Sequence, residues 1–207
     1  IAGNDVQVQN VIQSPKIKEY RCKIQLPVSQ TKVSGRILSG YYKKNTHELI
    51  NIKYCPMQPQ IINEINEYIK IEAQKLEISA YSEKSHKGLL RHIVYRISSD
   101  LNQILIIFVI NSNNIDKKLT ILSKSIIEKF PIVCGVCANL NEQKTNVIMS
   151  NNTQNIIGTD HYIEKLSEIN YKISANSFFQ VNPLCAELIF NKVKELILFK
   201  ITNPTIL

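Results

Sequence analysis

Polar and apolar side chains alternate along Tyr20-Arg-Cys-Lys-Ile-Gln-Leu-Pro27, which is the period of a half-buried strand. A turn around Ser29 to Lys32 leads into a second strand at 35–42. Another turn, Lys43 to Thr46, precedes a short strand at 48–53, so the first fifty residues read as a β-meander. Cys55-Pro56 and Pro59 interrupt the sheet. Pro59 is well placed to open a helix to about Leu76, with Ile62, Ile65, Ile69 and Leu76 on its inner stripe.

Two further strands are expected at 89–98 and 103–111. Asn114 or Asp116 can cap a helix that runs to Phe130 and stops at Pro131. Short strands are predicted at 132–140, 144–149 and 171–174. A last helix is predicted from Pro183 to Phe199, carrying Leu184, Leu188, Val193 and Leu196. No internal repeat or low-complexity linker is visible. The fold class is α+β, a largely antiparallel sheet with helices packed against it. Thr205-Ile-Leu207, after Asn203-Pro204, reads as the first strand of a further sheet. The start, Ile1-Ala-Gly-Asn-Asp5, has no Met and reads as the interior of a longer polypeptide.

Composition narrows the class. A chain of 207 residues, 44% hydrophobic and 20% charged, is that of a folded globular protein. Its longest apolar run, Ile104 to Ile110, falls far short of the roughly 20 residues that span a bilayer, so no membrane association is expected. No signal-peptide pattern is present. The net charge of +8 suits either simple solubility or an anionic partner such as nucleic acid, and charge alone leaves both open. Five cysteines, at 22, 55, 134, 137 and 185, form no disulfide framework, which points to a reducing, cytoplasmic setting.

Few chemical motifs stand out. Cys134-Gly-Val-Cys137 has the spacing of a redox or metal pair, but it sits in a predicted strand. Residues three apart there point to opposite faces, so the sulfurs should diverge as buried structural cysteines. None of the six glycines completes a GxGxxG or GxxxxGK(S/T) nucleotide-binding loop. Histidines 47, 86, 92 and 161 are scattered. Three segments mix cations with aromatics: Tyr20-Arg-Cys-Lys23, Tyr41-Tyr-Lys-Lys44 and Gly88-Leu-Leu-Arg-His-Ile-Val-Tyr-Arg96. That pattern suits RNA, where cations hold phosphates and planar groups stack on unpaired bases. It also suits an ordinary solvated strand face with edge lysines.

The order of the segments carries more than any one of them. Tyr20–Pro27, Gly40-Tyr-Tyr-Lys-Lys44 with His47-Glu48, Tyr54-Cys-Pro-Met-Gln58, Gly88–Arg96, Thr145-Asn-Val-Ile-Met149 and Ile173-Ser-Ala-Asn-Ser-Phe-Phe-Gln-Val-Asn-Pro183 follow one another collinearly. Together they resemble the RNA uracil-5-methyltransferase family over about residues 17 to 199. The Ser-Phe-Phe-Gln-Val-Asn stretch is the most specific. The resemblance implies a central RNA-facing α+β domain at 1–170. It also implies the opening helix of a Rossmann-like S-adenosyl-L-methionine (SAM) domain at 171–207, with the rest of that domain missing. Within the family pattern, Gln180 would contact SAM, and Cys55 would be one ligand of an iron–sulfur cluster. The upstream cysteines of such a cluster are not in this chain, and Cys22 stands where an Asn is more usual.

The chemistry implied by the resemblance is addition of a cysteine thiolate to C6 of a flipped-out uracil, which lets C5 take the methyl of SAM before a carboxylate base removes the C5 proton. The nucleophile and base would lie beyond this segment. It is therefore expected to be a monomeric, inactive piece of a 5-methyluridine-forming enzyme, with ribosomal RNA preferred over transfer RNA. Strand position and the resemblance together nominate Arg21, Lys23, Lys43, Arg91, His92 and Arg96 as RNA contacts. The alternative is a stand-alone, non-catalytic RNA-binding module.

Overall fold

The computed structural model describes residues 10–100 and 102–200, apart from the side chains of 199 and 200. Residues 205–207, read above as a new strand, lie outside the described residues, as does the amino-terminal stretch 1–9. Nine strands and three helices follow in the order β1 (Lys23–Gln30), β2 (Ile37–Tyr42), β3 (Leu49–Asn51), α1 (Gln60–Lys75), β4 (Leu90–Ile97), β5 (Ile104–Ile110), α2 (Lys117–Lys129), β6 (Val133–Leu140), β7 (Thr153–Gly158), β8 (His161–Leu166), β9 (Ile169–Ser174) and α3 (Pro183–Lys200). Seven strands form one sheet in the order β3-β2-β1-β4-β5-β6-β7, while β8 and β9 make a separate hairpin. The sheet is antiparallel except between β5 and β6. A parallel pair needs a crossover, and α2 supplies it. The expected α+β class is therefore observed.

The centre of the sheet explains the unbroken run Ile104 to Ile110: every residue of β5 is buried, because both faces are covered. On one face Ile62, Ile65 and Ile69 of α1 and Leu119, Leu122 and Ile126 of α2 pack against Ile93, Tyr95, Ile106 and Phe108. Leu76, expected on the same stripe, is only half-buried at the helix end. Asp116 caps α2 by accepting a hydrogen bond from the Lys118 backbone N–H at 2.7 Å. On the other face Tyr162 and Ile173 of the β8–β9 hairpin, with Ala175, cover Val94, Leu105, Ile107 and Val109.

Three expectations fail. Residues 144–149 form no strand. Their backbone is held by amide side chains instead: Asn141 donates to the Val147 and Ile148 carbonyls, and Asn139 donates to those of Ser150 and Asn152. The strands β7 and β8 were not foreseen, because β7 is a polar edge strand and β8 buries Glu164 among its apolar residues. Nor do Cys134 and Cys137 diverge. A β-bulge at Cys134, where Val133 pairs with Ile104 and Gly135 with Leu105, inserts one residue and turns both sulfurs toward the hairpin face. Gly135 makes this crossing possible, since a Cβ there would stand 1.8 Å from the Thr159 carbonyl oxygen.

Among the described residues no helix is long and apolar enough to cross a membrane.

Candidate functional site

The segment that joins β9 to α3 contains the Ser-Phe-Phe-Gln sequence and has no regular structure of its own. It is a strap, and its backbone groups are satisfied by neighbours. Arg96 of β4, 1% exposed, donates from Nε to the Ala175 carbonyl at 3.1 Å and from Nη2 to the Ser177 carbonyl. The Cys22 backbone N–H donates to the Val181 carbonyl at 2.8 Å. Asn176 donates to the Ser150 carbonyl at 2.7 Å and accepts from Thr153 Oγ1 at 2.6 Å. Asn182 Oδ1 then accepts from the Cys185 N–H, so Asn182 caps α3, with Pro183 as its first residue. Phe179 turns inward against Tyr171, ring centroids 5.6 Å apart. Phe178 and Gln180 face outward, Phe178 at 85% exposure. The strap therefore presents a carboxamide and an aromatic ring on a pinned backbone. A carboxamide so placed can donate to and accept from a polar cofactor, which fits Gln180 as one contact to SAM. The methyl group that SAM supplies would arrive with that cofactor.

The six nominated RNA contacts do not form one surface. Lys23 lies directly across from Arg96 in the β1–β4 register, and burial followed by the nearby Arg96 charge lowers its pKa. Arg21 is half-buried near Tyr41, whose pKa is raised chiefly by burial. Lys43 is exposed beside Glu48 at 3.8 Å. Arg91 and Arg96 are buried, so the strand-face assignment does not hold for them. The Arg91 Nη1 donates to the Asn141 and Gln143 carbonyls at 2.6 and 2.9 Å, and its guanidinium lies 4.6 Å from the centre of the Tyr81 ring. Burial, then Arg91, lowers the pKa of His92 to about 4, which leaves that imidazole neutral near pH 7. Sequence reasoning passed over Tyr81, and took His47 as isolated. Spacing could not show that residues 42, 47 and 83 converge in space.

Cys55 has its backbone N–H bound by Asn63 Oδ1 at 3.1 Å. Among the described residues no group of three or more His, Cys, Asp or Glu side chains could hold a metal ion. A cubane-type cluster needs four ligands, so the residues present do not fit an iron–sulfur site.

The fold itself has a solved counterpart. The crystal structure of Pyrococcus abyssi tRNA (uracil-54, C5)-methyltransferase in complex with S-adenosyl-L-homocysteine superposes with a TM-score of 0.73, over 90% of this chain and 42% of that one, at 24% identity. At that identity the likeness is one of fold. No protein-family model matches the chain. Curated relatives carry the comparison further. An uncharacterized RNA methyltransferase of Oceanobacillus iheyensis is 33% identical over 193 residues, covering 93% of this chain and 41% of the relative. Another, from Clostridium tetani, is 33% identical over 195 residues, covering 94% of this chain and 42% of the relative. The chain spans about two-fifths of the length of the curated relatives it matches. Along that stretch it is similar to proteins named as RNA methyltransferases.

Proposed function

We propose that the chain is the RNA-facing part of a SAM-dependent enzyme that methylates C5 of a uridine in RNA, ribosomal RNA being preferred. One observation carries the reading. A buried arginine pins the strap so that Gln180 faces outward, within the segment that most closely resembles the family motif. Residues 1–170 form the central domain, and 171–207 lead into a Rossmann-like cofactor domain that completes the SAM pocket and holds the nucleophile and base. Two features support this division. Helix α3 leaves Ile189, Phe190, Val193, Leu196 and Leu198 exposed, an apolar surface suited to a packing partner. The matched relatives are more than twice the length of the matched stretch. Arg21, Lys23 and Lys43 hold RNA phosphates, while Arg91, His92 and Arg96 shape the surface from beneath. The enzyme works as a cytoplasmic monomer.

The test is methyl transfer from labelled SAM to ribosomal and transfer RNA by the protein expressed from the complete gene, with the product nucleoside identified by mass spectrometry. Expected are 5-methyluridine in ribosomal RNA and no transfer by the 207-residue chain alone. Label in any other nucleoside, or none in uridine, overturns the proposal.

A further inference from the structure

A cleft of about 660 Å³ opens between the β1–β2 turn, the β2–β3 turn and residues 80–84. It is far from the strap. The strap meets β1 at Cys22, whereas the cleft is lined by the opposite end of that strand, Val28 to Gln30. Eight residues at ~3.3 Å each separate the two places by about 25 Å. A group bound in the cleft therefore cannot be the uracil that is methylated beside the cofactor Gln180 contacts.

Its lining combines fixed aromatic faces with free cations. Tyr42, 41% exposed, stands with its ring 5.8 Å from His47. Glu83, the acidic side chain of the lining, lies against both of them: His47 Nδ1 is 2.9 Å from its carboxylate, and burial followed by that carboxylate raises the pKa of Tyr42. Tyr81 forms the facing wall. Its hydroxyl is 2.7 Å from His86 Nδ1, and its ring carries the guanidinium of Arg91, which two backbone carbonyls hold still. Lys32 and Lys84 line the cleft, and neither forms an ion pair among the described residues. The volume lies within the ~300–1,000 Å³ of small-molecule clefts. Aromatic rings on a rigid frame, with unpaired cations at the rim, match a base with its flanking phosphates.

We propose that this cleft seats an unpaired nucleotide of the RNA substrate, its base stacked on Tyr42 against the Tyr81 wall and its phosphates held by Lys32 and Lys84. It is an anchor about 25 Å along β1 from the strap, and as such it rests on the RNA-methyltransferase reading. An RNA too short to reach from Gln180 to the cleft gains nothing from it. A longer one does.

The experiment uses the full-length protein with two single-stranded, uridine-containing RNAs, a 3-mer and a 20-mer, and reads binding and methylation of each. Tyr42→Ala is expected to weaken 20-mer binding about tenfold or more and leave 3-mer methylation unchanged, with Tyr42→Phe restoring most of the loss. Replacing both surface lysines, Lys32→Gln with Lys84→Gln, should reduce the salt slope for the 20-mer by about 1.4, at ~0.7 per phosphate contact on a single strand. It needs no change in the fold. Equal 20-mer binding by wild type, Tyr42→Ala and the lysine pair overturns the anchor, whether or not methylation is seen. If wild type methylates no uridine while Tyr42→Ala still loses the 20-mer, the anchor stands and the enzymatic proposal falls.

Discussion

Strand β4 carries an arginine near each end, and the two do different work. Arg96 grips the carbonyls of Ala175 and Ser177, and through them the strap that displays Gln180. Arg91 grips the carbonyls of Asn141 and Gln143 and backs the ring of Tyr81, on the wall of the distal cleft. In sequence both look like phosphate ligands on a strand face. What decides is whether something packs over that face. The β8–β9 hairpin and the strap cover Arg96, and the loop after β6 covers Arg91. A buried guanidinium with carbonyl partners is an internal staple. It can act on a ligand only through what it positions.

The largest effect that follows is on Arg96. Arg96→Met strands two buried carbonyls and removes two charge-assisted hydrogen bonds at ~1.5–3 kcal/mol each, so a loss of about 4 kcal/mol is expected in urea unfolding. In the full-length protein the same change should weaken SAM binding, measured calorimetrically, at least tenfold. Arg96→Lys should recover little, because an ammonium cannot reproduce the fork. Arg91→Met should weaken RNA binding and spare SAM. The contrast breaks if Arg96→Met binds SAM as wild type does, or if the two variants lose the same ligand.

Acid sharpens the same contrast, because it acts first at the Arg91 end. His92 lies beside Arg91, and its pKa is lowered from about 6.5 to about 4 by burial, then by the arginine. The folded state therefore holds the neutral imidazole more tightly than the unfolded chain does. That contribution is complete above pH 6.5 and is lost as the pH falls through about 4. At 1.36 kcal/mol per unit it amounts to roughly 3 kcal/mol. Glu164 works in the opposite sense. Burial raises its pKa despite the Ser99 hydrogen bonds, so its contribution is present at low pH and lost as the pH rises through the raised value. The difference between wild type and His92→Gln, in urea midpoints from pH 7 to 4.5, isolates the histidine. A flat difference curve would show that the imidazole is solvated.

How much of this was legible in the sequence depends on who satisfies the backbone. Strands paired within the sheet announce themselves by side-chain period, as β1 does, or by an unbroken apolar run, as β5 does, and α1 and α2 by their apolar stripes. Where side chains do that work, the period misleads. Residues 144–149 read as a short strand, yet their Val147 and Ile148 carbonyls hang on the amide of Asn141. A single bulged residue was enough to reverse the reading of Cys134 and Cys137, since strand phase has no memory past a bulge. The strap could be found by its motif, but Arg96, which holds it, is 79 residues away from Ala175 in sequence. The cleft was still less visible. Its aromatic residues come from three places with no shared spacing: Tyr42 ends β2, His47 lies between β2 and β3, and Tyr81 lies before β4.

The smallest effect is chemical, with no cost in stability, and it reports the two regions separately. Burial pushes the Cys22 and Cys137 thiols up to about 12, with Glu164 adding to the first and Asp160 and Cys134 to the second. At pH 8 both are thiols in about 9,999 molecules of 10,000, and the thiolate is the nucleophile. Brief treatment with iodoacetamide, read by peptide mass spectrometry, should therefore label half-buried Cys55 and Cys185 first and leave Cys22 and Cys137 unmodified until the protein unfolds. Cys22 lies where the strap crosses β1, its own N–H bonded to Val181. If Arg96 is what holds the strap down, Arg96→Met should bring Cys22 into the labelled set and Arg91→Met should not. Labelling of Cys22 at the rate of Cys55 in the unaltered protein would mean that the strap opens on its own, and then no arginine could be fixing the position of Gln180.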